Sequence, residues 1–262
     1  MSGLYGEEIE GLCLPLARVV EVHDALASTQ ERARELALAG TPHGTLVVTE
    51  VQTGGRGRLG RHWGSPQGGL WMSLVLRPGL EAGLASRITK TAAVGVAGAL
   101  WETGVEARIK WPNDLLVGDE SAKAGGILAQ SHGEALVLGI GVNVSTTRAE
   151  LPVPEATSLE LAGGTPVDRS RLLGAILGHF GERYSDWLSV GGDAAESFLS
   201  ADYRARCATL NRPVVVTPVV GSPYRGLATD IDDQGRLLVL REAGGLQAIA
   251  AADVRHLREP TD

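Results

Sequence analysis

Short apolar runs, each bounded by glycine, proline, asparagine or aspartate, fill the first half of this chain, and they restrict it to folds built around a sheet. Residues 18–23, 45–51, 70–76, 105–111, 114–117, 123–130 and 135–142 read as strands, several of them rich in valine, leucine and threonine. Two longer stretches break the pattern. Ser28-Thr29-Gln30-Glu31 has the composition of a capping box, which opens a helix to about Ala39 with Gly40 behind it. The alanine-rich, apolar-periodic residues 85–103, closed by Gly104, read as a buried helix. Beyond Pro152 and Pro154 two further helices are expected, one started by Asp168 and running to about Trp187, the other from about Asp193 to Cys207. Strands and helices interleaved in this way predict an α+β fold, a mixed sheet flanked by helices.

The last fifty or so residues change character. Residues 213–219, 224–231, 236–240 and 246–250 read as strands joined by turns such as Asp233-Gln234-Gly235 and Gly244-Gly245. They predict a small SH3-like β-barrel at residues 208–262, behind a larger domain at 1–207. Glycine, 35 of 262 residues, is nearly twice the usual ~7% and has no fixed period, so many tight turns and close backbone approaches follow.

Composition narrows the partners. A formal charge of −7 argues against a general attraction to nucleic acid or acidic membranes, because counterion release needs a basic surface. Any basic site must be local. Cys13 and Cys207 are too few and too far apart for a disulfide framework or a CxxC metal site, which makes a reducing cytoplasm the default. No apolar stretch approaches the ~18 residues of a membrane span. Roughly twenty residues precede the first strand and helix, too few for a helix-turn-helix domain, so no DNA partner is expected.

The segment between the second and third strands is explained by no periodicity. Gly55-Arg56-Gly57-Arg58-Leu59-Gly60 formally matches the G-x-G-x-x-G dinucleotide fingerprint. A dinucleotide-binding turn runs straight into a helix, and Gly64, Pro66, Gly68 and Gly69 forbid one here. What remains is Arg56, Arg58 and Arg61 alternating with glycines that let the backbone approach a ligand. Guanidinium forks pair bidentately with carboxylate and phosphate, so the loop suits a carboxylic acid and a nucleotide. Trp63 offers a flat face for adenine, or else a core side chain.

From Gln52 to Trp63 the loop is similar to the signature loop of biotin protein ligases, which closes over biotinyl-adenylate. The resemblance implies that Gln52, Gly55, Arg56, Gly57 and Arg58 contact biotin and its activated carboxyl. The family places Ser-Thr-Asn at the start of its first helix, against biotin's ureido ring, and this chain has Ser28, Thr29 and Gln30. Gln30 departs by one methylene, and Ser28 also reads as a plain N-cap.

A second stretch resembles the same family. Lys110-Trp111-Pro112-Asn113-Asp114 is followed by Lys123-Ala124-Gly125-Gly126-Ile127, in the expected order and on adjacent strands. Pro112 sets a turn at a strand end, and Asn113 and Asp114 present short polar groups where the sheet opens. The resemblance implies that Lys123 neutralises the biotin carboxylate and the α-phosphate together, and that Gly125 and Gly126 let the ring lie on bare backbone. Gly139-Ile140-Gly141-Val142-Asn143 is similar to a weaker motif that places Asn143 near the nucleotide. The adenylate would then meet Arg56, Arg58, Arg61, Trp63, Asn113, Lys123 and Asn143, with Arg56, Arg58, Lys123 and Asp114 as the catalytic set.

The family resemblance implies a class II synthetase-like catalytic domain that takes biotin and ATP with Mg²⁺. It would form biotinyl-5'-AMP and pass biotin to a lysine of a biotin carboxyl carrier domain. The alternatives are a lipoate ligase or octanoyl transferase of related fold, and a non-catalytic biotin or nucleotide sensor. The six histidines show no H-E-x-x-H spacing, and neither a G-x-S-x-G elbow nor a P-loop is present. No protein-held metal is expected.

Overall fold

The computed structural model describes residues 16–80, 84–118, 122–163 and 166–257. Cys13 and part of the expected turn at Gly118-Asp119-Glu120 lie outside these residues. β1 (Val19–Leu26) pairs in parallel with β2 (Thr45–Gln52), and α1 (Thr29–Leu38) makes the crossover that a parallel pair requires. β3 (Gly69–Leu76), β4 (Ala107–Lys110), β5 (Asp114–Val117), β6 (Ala122–His132) and β7 (Ala135–Asn143) complete a seven-stranded sheet of order β1-β2-β3-β7-β6-β5-β4. All of its other pairings are antiparallel. The mixed sheet expected from the strand runs is present.

Helices cover both faces. On one, Ala33 and Ala37 of α1 pack on Val47, Val75 and Val137. On the other lie α2 (Ala85–Trp101) and α4 (Arg169–Ser189), so every residue of the interior strand β3 is buried. Gly95 is what lets these two helices meet closely. A Cβ there would stand 2.8 Å from the backbone of Phe180, and Phe180 itself is fully buried. Removing such a ring costs ~3–5 kcal/mol.

Asp168 caps α4 as expected, accepting hydrogen bonds from the amides of Ser170 and Arg171. Two expectations need correction. Ser28 stands at the N-cap position of α1, but its hydroxyl makes no cap hydrogen bond and Glu31 pairs with Arg34, so there is no capping box. The helix expected from Asp193 begins only with α5 (Leu199–Arg206). Asp193 folds a turn by accepting from the amides of Ala195 and Glu196, and Phe198, at φ 57, interrupts the chain. A short α3 (Leu159–Gly163) was not expected.

The carboxyl-terminal strands are β8 (Arg212–Pro218), β9 (Tyr224–Ile231), β10 (Leu237–Arg241), β11 (Leu246–Ile249) and an unanticipated β12 (Ala252–His256). They form an antiparallel sheet of order β11-β10-β9-β8-β12. Its inward residues, among them Val214, Val216 and Val254, join the same hydrophobic core as the larger sheet. Two hydrogen bonds of Trp111 fix the junction. Its indole donates to Gly235 O and its amide to Thr209 Oγ1, both at 3.0 Å.

Candidate active-site cleft

A cavity of about 270 Å³ opens where α1 begins, where the glycine-arginine loop crosses the sheet, and where β5, β6 and β7 end. At one end α1 supplies Ser28, Thr29 and Gln30, all buried. Gln52 Oε1 accepts from the Thr29 amide at 2.9 Å and from its hydroxyl at 3.1 Å, while Gln52 Nε2 donates to Ser65 Oγ at 2.7 Å. Ser73 Oγ lies 2.9 Å from Thr29 Oγ1 and 3.2 Å from Gln30 Oε1. These neighbours build a small polar floor in an otherwise apolar wall. Ser28 keeps its hydroxyl free of the helix it precedes.

The longer amide of Gln30 has a specific destination. Its Nε2 donates to Gln130 Oε1 at 3.0 Å and to Val137 O at 3.2 Å. Gly139 leaves the room that the Gln30 carbonyl fills. Gln30 lines the cavity, but both of its N–H groups are committed to β6 and β7.

The loop between β2 and β3 is held like a hairpin. Gln52 N donates to Ser65 O, Trp63 N to Gly55 O and Gly57 N to Arg61 O, and a 3-10 turn at Arg58–Gly60 makes the tip. Gly55 belongs to this scaffold rather than to the cavity wall. A Cβ there would come 2.6 Å from Trp63 O and 2.7 Å from Ser65 Oγ. Arg56, Gly57, Arg58 and Arg61 do line the cavity. Burial, with Arg61 beside it, pulls the Arg58 guanidinium below its ordinary value, and its Nη1 lies 3.5 Å from Asn113 Oδ1. Arg61 reaches Asp253 of β12 at 3.4 Å, so the loop is tied to the smaller sheet.

Lys123 and Asp114 meet across β5 and β6, with Nζ 2.7 Å from Oδ1. The same ammonium stands 4.9 Å from the centre of the Trp63 ring. A Cβ on Gly126 would meet the Trp63 ring at 3.7 Å, and the buried indole N–H of Trp63 has no hydrogen-bond partner among the described residues. Asn113 is fixed by exchanging hydrogen bonds with Ile127, and Asn143 donates to Thr157 O at 2.9 Å. Gly125 faces away from the cavity. A Cβ there would sit 2.7 Å from Gly141 O and 3.1 Å from Leu115, so its bareness serves strand packing.

The cleft thus gathers every residue expected of it except Gly55 and Gly125. It also contains residues that were not expected in it: Ser73, Met72, and Ala252, Asp253 and Val254 of β12. Ser73 had a signal, as the lone hydroxyl in the apolar run Leu70-Trp71-Met72-Ser73-Leu74-Val75. No sequence feature placed the β12 residues in the cleft, since only tertiary packing brings them here.

A cleft with a polar floor, a ring plate and converging cations suits the binding of a carboxylic acid beside a nucleotide. The model of the biotin/lipoate A/B protein ligase family matches residues 22–146, and that of the biotin protein ligase C-terminal domain matches 209–257. The bifunctional ligase/repressor BirA of Bacillus subtilis is 38% identical over 247 residues, 88% of this chain and 72% of its own. The biotin--[acetyl-CoA-carboxylase] ligase of Paracoccus denitrificans is 35% identical over 239 residues, 87% of this chain and 96% of its own. The solved biotin protein ligase from Aquifex aeolicus in complex with biotin and ATP superimposes with a TM-score of 0.77 at 27% identity, covering 92% of this chain and all of that one. This chain belongs to the biotin protein ligase family.

Proposed function

We propose that this protein is an ATP-dependent biotin protein ligase that forms biotinyl-5'-AMP and transfers biotin to a lysine of a biotin carboxyl carrier domain. The observation that carries the site assignment is the Lys123–Asp114 pair, set in one cavity with Arg58 and with the Ser28, Thr29 and Gln52 floor. Biotin's ureido ring lies on that floor, where Ser28 has an uncommitted hydroxyl. Its rings rest against the apolar wall that Met72 and Ile140 give the cavity, and Trp63 offers its face to the adenine.

The biotin carboxylate then attacks the α-phosphorus of ATP, and pyrophosphate leaves. Arg56, Arg58 and Lys123 neutralise the two anions as they meet and hold the charge that develops between them. Arg61, Asn113 and Asn143 fix the nucleotide. Asn113 Oδ1 and the Asp114 carboxylate already face Arg58 and Lys123, so a Mg²⁺ ion would arrive with ATP rather than be held by these residues, and would supply charge neutralisation. In the second step the carrier lysine amine attacks the anhydride carbonyl, AMP departs, and Asp114 accepts the amine's proton. The loop covers the anhydride and keeps water from it.

A cytoplasmic enzyme acting without DNA fits the net charge of −7 and the consumption of ATP. Among the described residues no helix is long and apolar enough to cross a membrane. The lipoate and octanoyl alternatives have no separate support, because relatives similar over most of this chain are named for biotin. ATP-pyrophosphate exchange, with biotin, lipoate or octanoate offered separately, tests the reading. Exchange with biotin alone is expected, and exchange with none of the acids would overturn it.

A further inference from the structure

Beside the reaction cleft lies a second cavity, of about 190 Å³, that the mechanism above leaves unused. Arg58, Trp111, Pro112 and Asn113 line both spaces and form the partition. The far wall comes from Ser86, Thr89 and Lys90 of α2 and from Gly235 and Ala250 of the smaller sheet.

Lys90 is the unexplained residue. It is 2% exposed, and its ammonium has no hydrogen-bond partner among the described residues. A Cβ on Gly235 would come 3.1 Å from its Nζ, so the side chain lies flat against that turn. Burial draws its pKa down to about 8 against the pull of Asp232 and Asp233, with Arg87 and Arg204 adding to the fall. Neither carboxylate is its partner. Asp232 holds the Arg236 guanidinium at 2.6 Å, and Asp233 accepts from Ser200 Oγ at 3.1 Å. A buried ammonium without a counter-charge is costly, and an apolar side chain of the same length would pack there at no such cost. An anion in the cavity removes the difficulty.

We infer that this cavity receives the diphosphate portion of the nucleotide, with Lys90 and Arg58 as its cationic contacts; the inference rests on the ligase reading. The chemistry requires such a place. A carboxylate oxygen forms a bond to the α-phosphorus, the bond from that phosphorus to the bridging oxygen breaks, and the electron pair leaves with pyrophosphate. No proton moves in this step. In-line displacement puts the leaving group opposite the attacking oxygen. With biotin at the Ser28 end of the cleft, the opposite side is the partition where Arg58 and Asn113 stand 3.5 Å apart.

Calorimetry on the full chain tests this, with ATP, pyrophosphate, inorganic phosphate and AMP titrated into the wild type, Lys90→Met and Ser86→Glu. Lys90→Met removes the charge and keeps the bulk. Ser86→Glu adds, at an exposed residue of the rim one helical turn from Lys90, a carboxylate that competes with the bound anion. Loss of one charge-assisted contact is expected to weaken ATP and pyrophosphate about tenfold in Lys90→Met, with a similar loss in Ser86→Glu. AMP, which lacks the diphosphate, binds as before. Unchanged ATP and pyrophosphate affinity in both variants would overturn the inference, as would an equal loss for AMP or wild-type phosphate binding as tight as pyrophosphate binding. Failure of the ligase reading looks different: wild-type protein would give no exchange with biotin while pyrophosphate still bound in a Lys90-dependent way.

Discussion

Lys123 owes its place to a partner on the neighbouring strand. β6 brings its backbone to the cavity edge, but it is the Asp114 carboxylate at 2.7 Å and the face of Trp63 that hold the ammonium over the site. Most strand lysines point their charge into water; this one is two-thirds shielded, with 33% of its side chain exposed. A cation positioned before the reaction costs no reorganisation when the two anions meet. Lys123→Gln keeps the length and polarity but removes the charge. Adenylate formation in single-turnover experiments is expected to slow by about 10²–10³-fold, with biotin affinity changing far less. An unaltered single-turnover rate would remove Lys123 from the chemistry.

At the scale of elements, the glycine-arginine loop depends on its cross-links, and it shows what sequence can and cannot say. The arginines and glycines were legible as an anion loop because those residue types have few other uses at that density. Gly55 was expected at the ligand but does not line the cleft, and a Cβ there would strike Trp63 O and Ser65 Oγ; Gly125 likewise spares Gly141 O a collision. A glycine reads the same in either role, so only the neighbour across the strand decides. The long apolar helices and strands were legible for the opposite reason, that burial dictates their period. The segment from Asp193 to Phe198 was not: Asp193 accepts from the amides two and three residues on, as a helix cap does, but the chain turns left-handed at Phe198, φ 57, before a helix can continue. Within the loop, Arg58 is half-buried and reaches toward Asn113, which makes it the arginine to test as the cover over the anhydride. Arg58→Ala is expected to release biotinyl-5'-AMP at least ~10-fold faster. A filter assay of retained adenylate measures it, and retention equal to wild type would assign the cover to Arg56 or Arg61.

The two sheets behave as one molecule because the motif that carries Asn113 and Asp114 is gripped from the far side. No sequence pattern could give this. Arg61 and Asp253 lie 192 positions apart, and Thr209 meets Trp111 across 98. Thr209 Oγ1 accepts from the Trp111 amide, which leaves its own proton for His256 Nε2 at 3.0 Å. The hydroxyl can donate to the ring nitrogen or accept from its N–H, and burial favours the neutral imidazole. Burial first, then Lys110 and Arg212, hold His256 down to about 4, with Asp114 opposing. In the unfolded chain the ring titrates near 6.5, so between those values the unfolded state binds the extra proton. The stability this ring contributes is therefore complete above pH 6.5 and is lost as pH falls through the window toward 4. Chemical denaturation at pH 7.5, 6, 5 and 4.5 is expected to show wild type losing about 1–2 kcal/mol more than His256→Gln, whose amide does not titrate. Parallel curves for the two proteins would mean that the junction beneath Trp111 does not sense protons through His256.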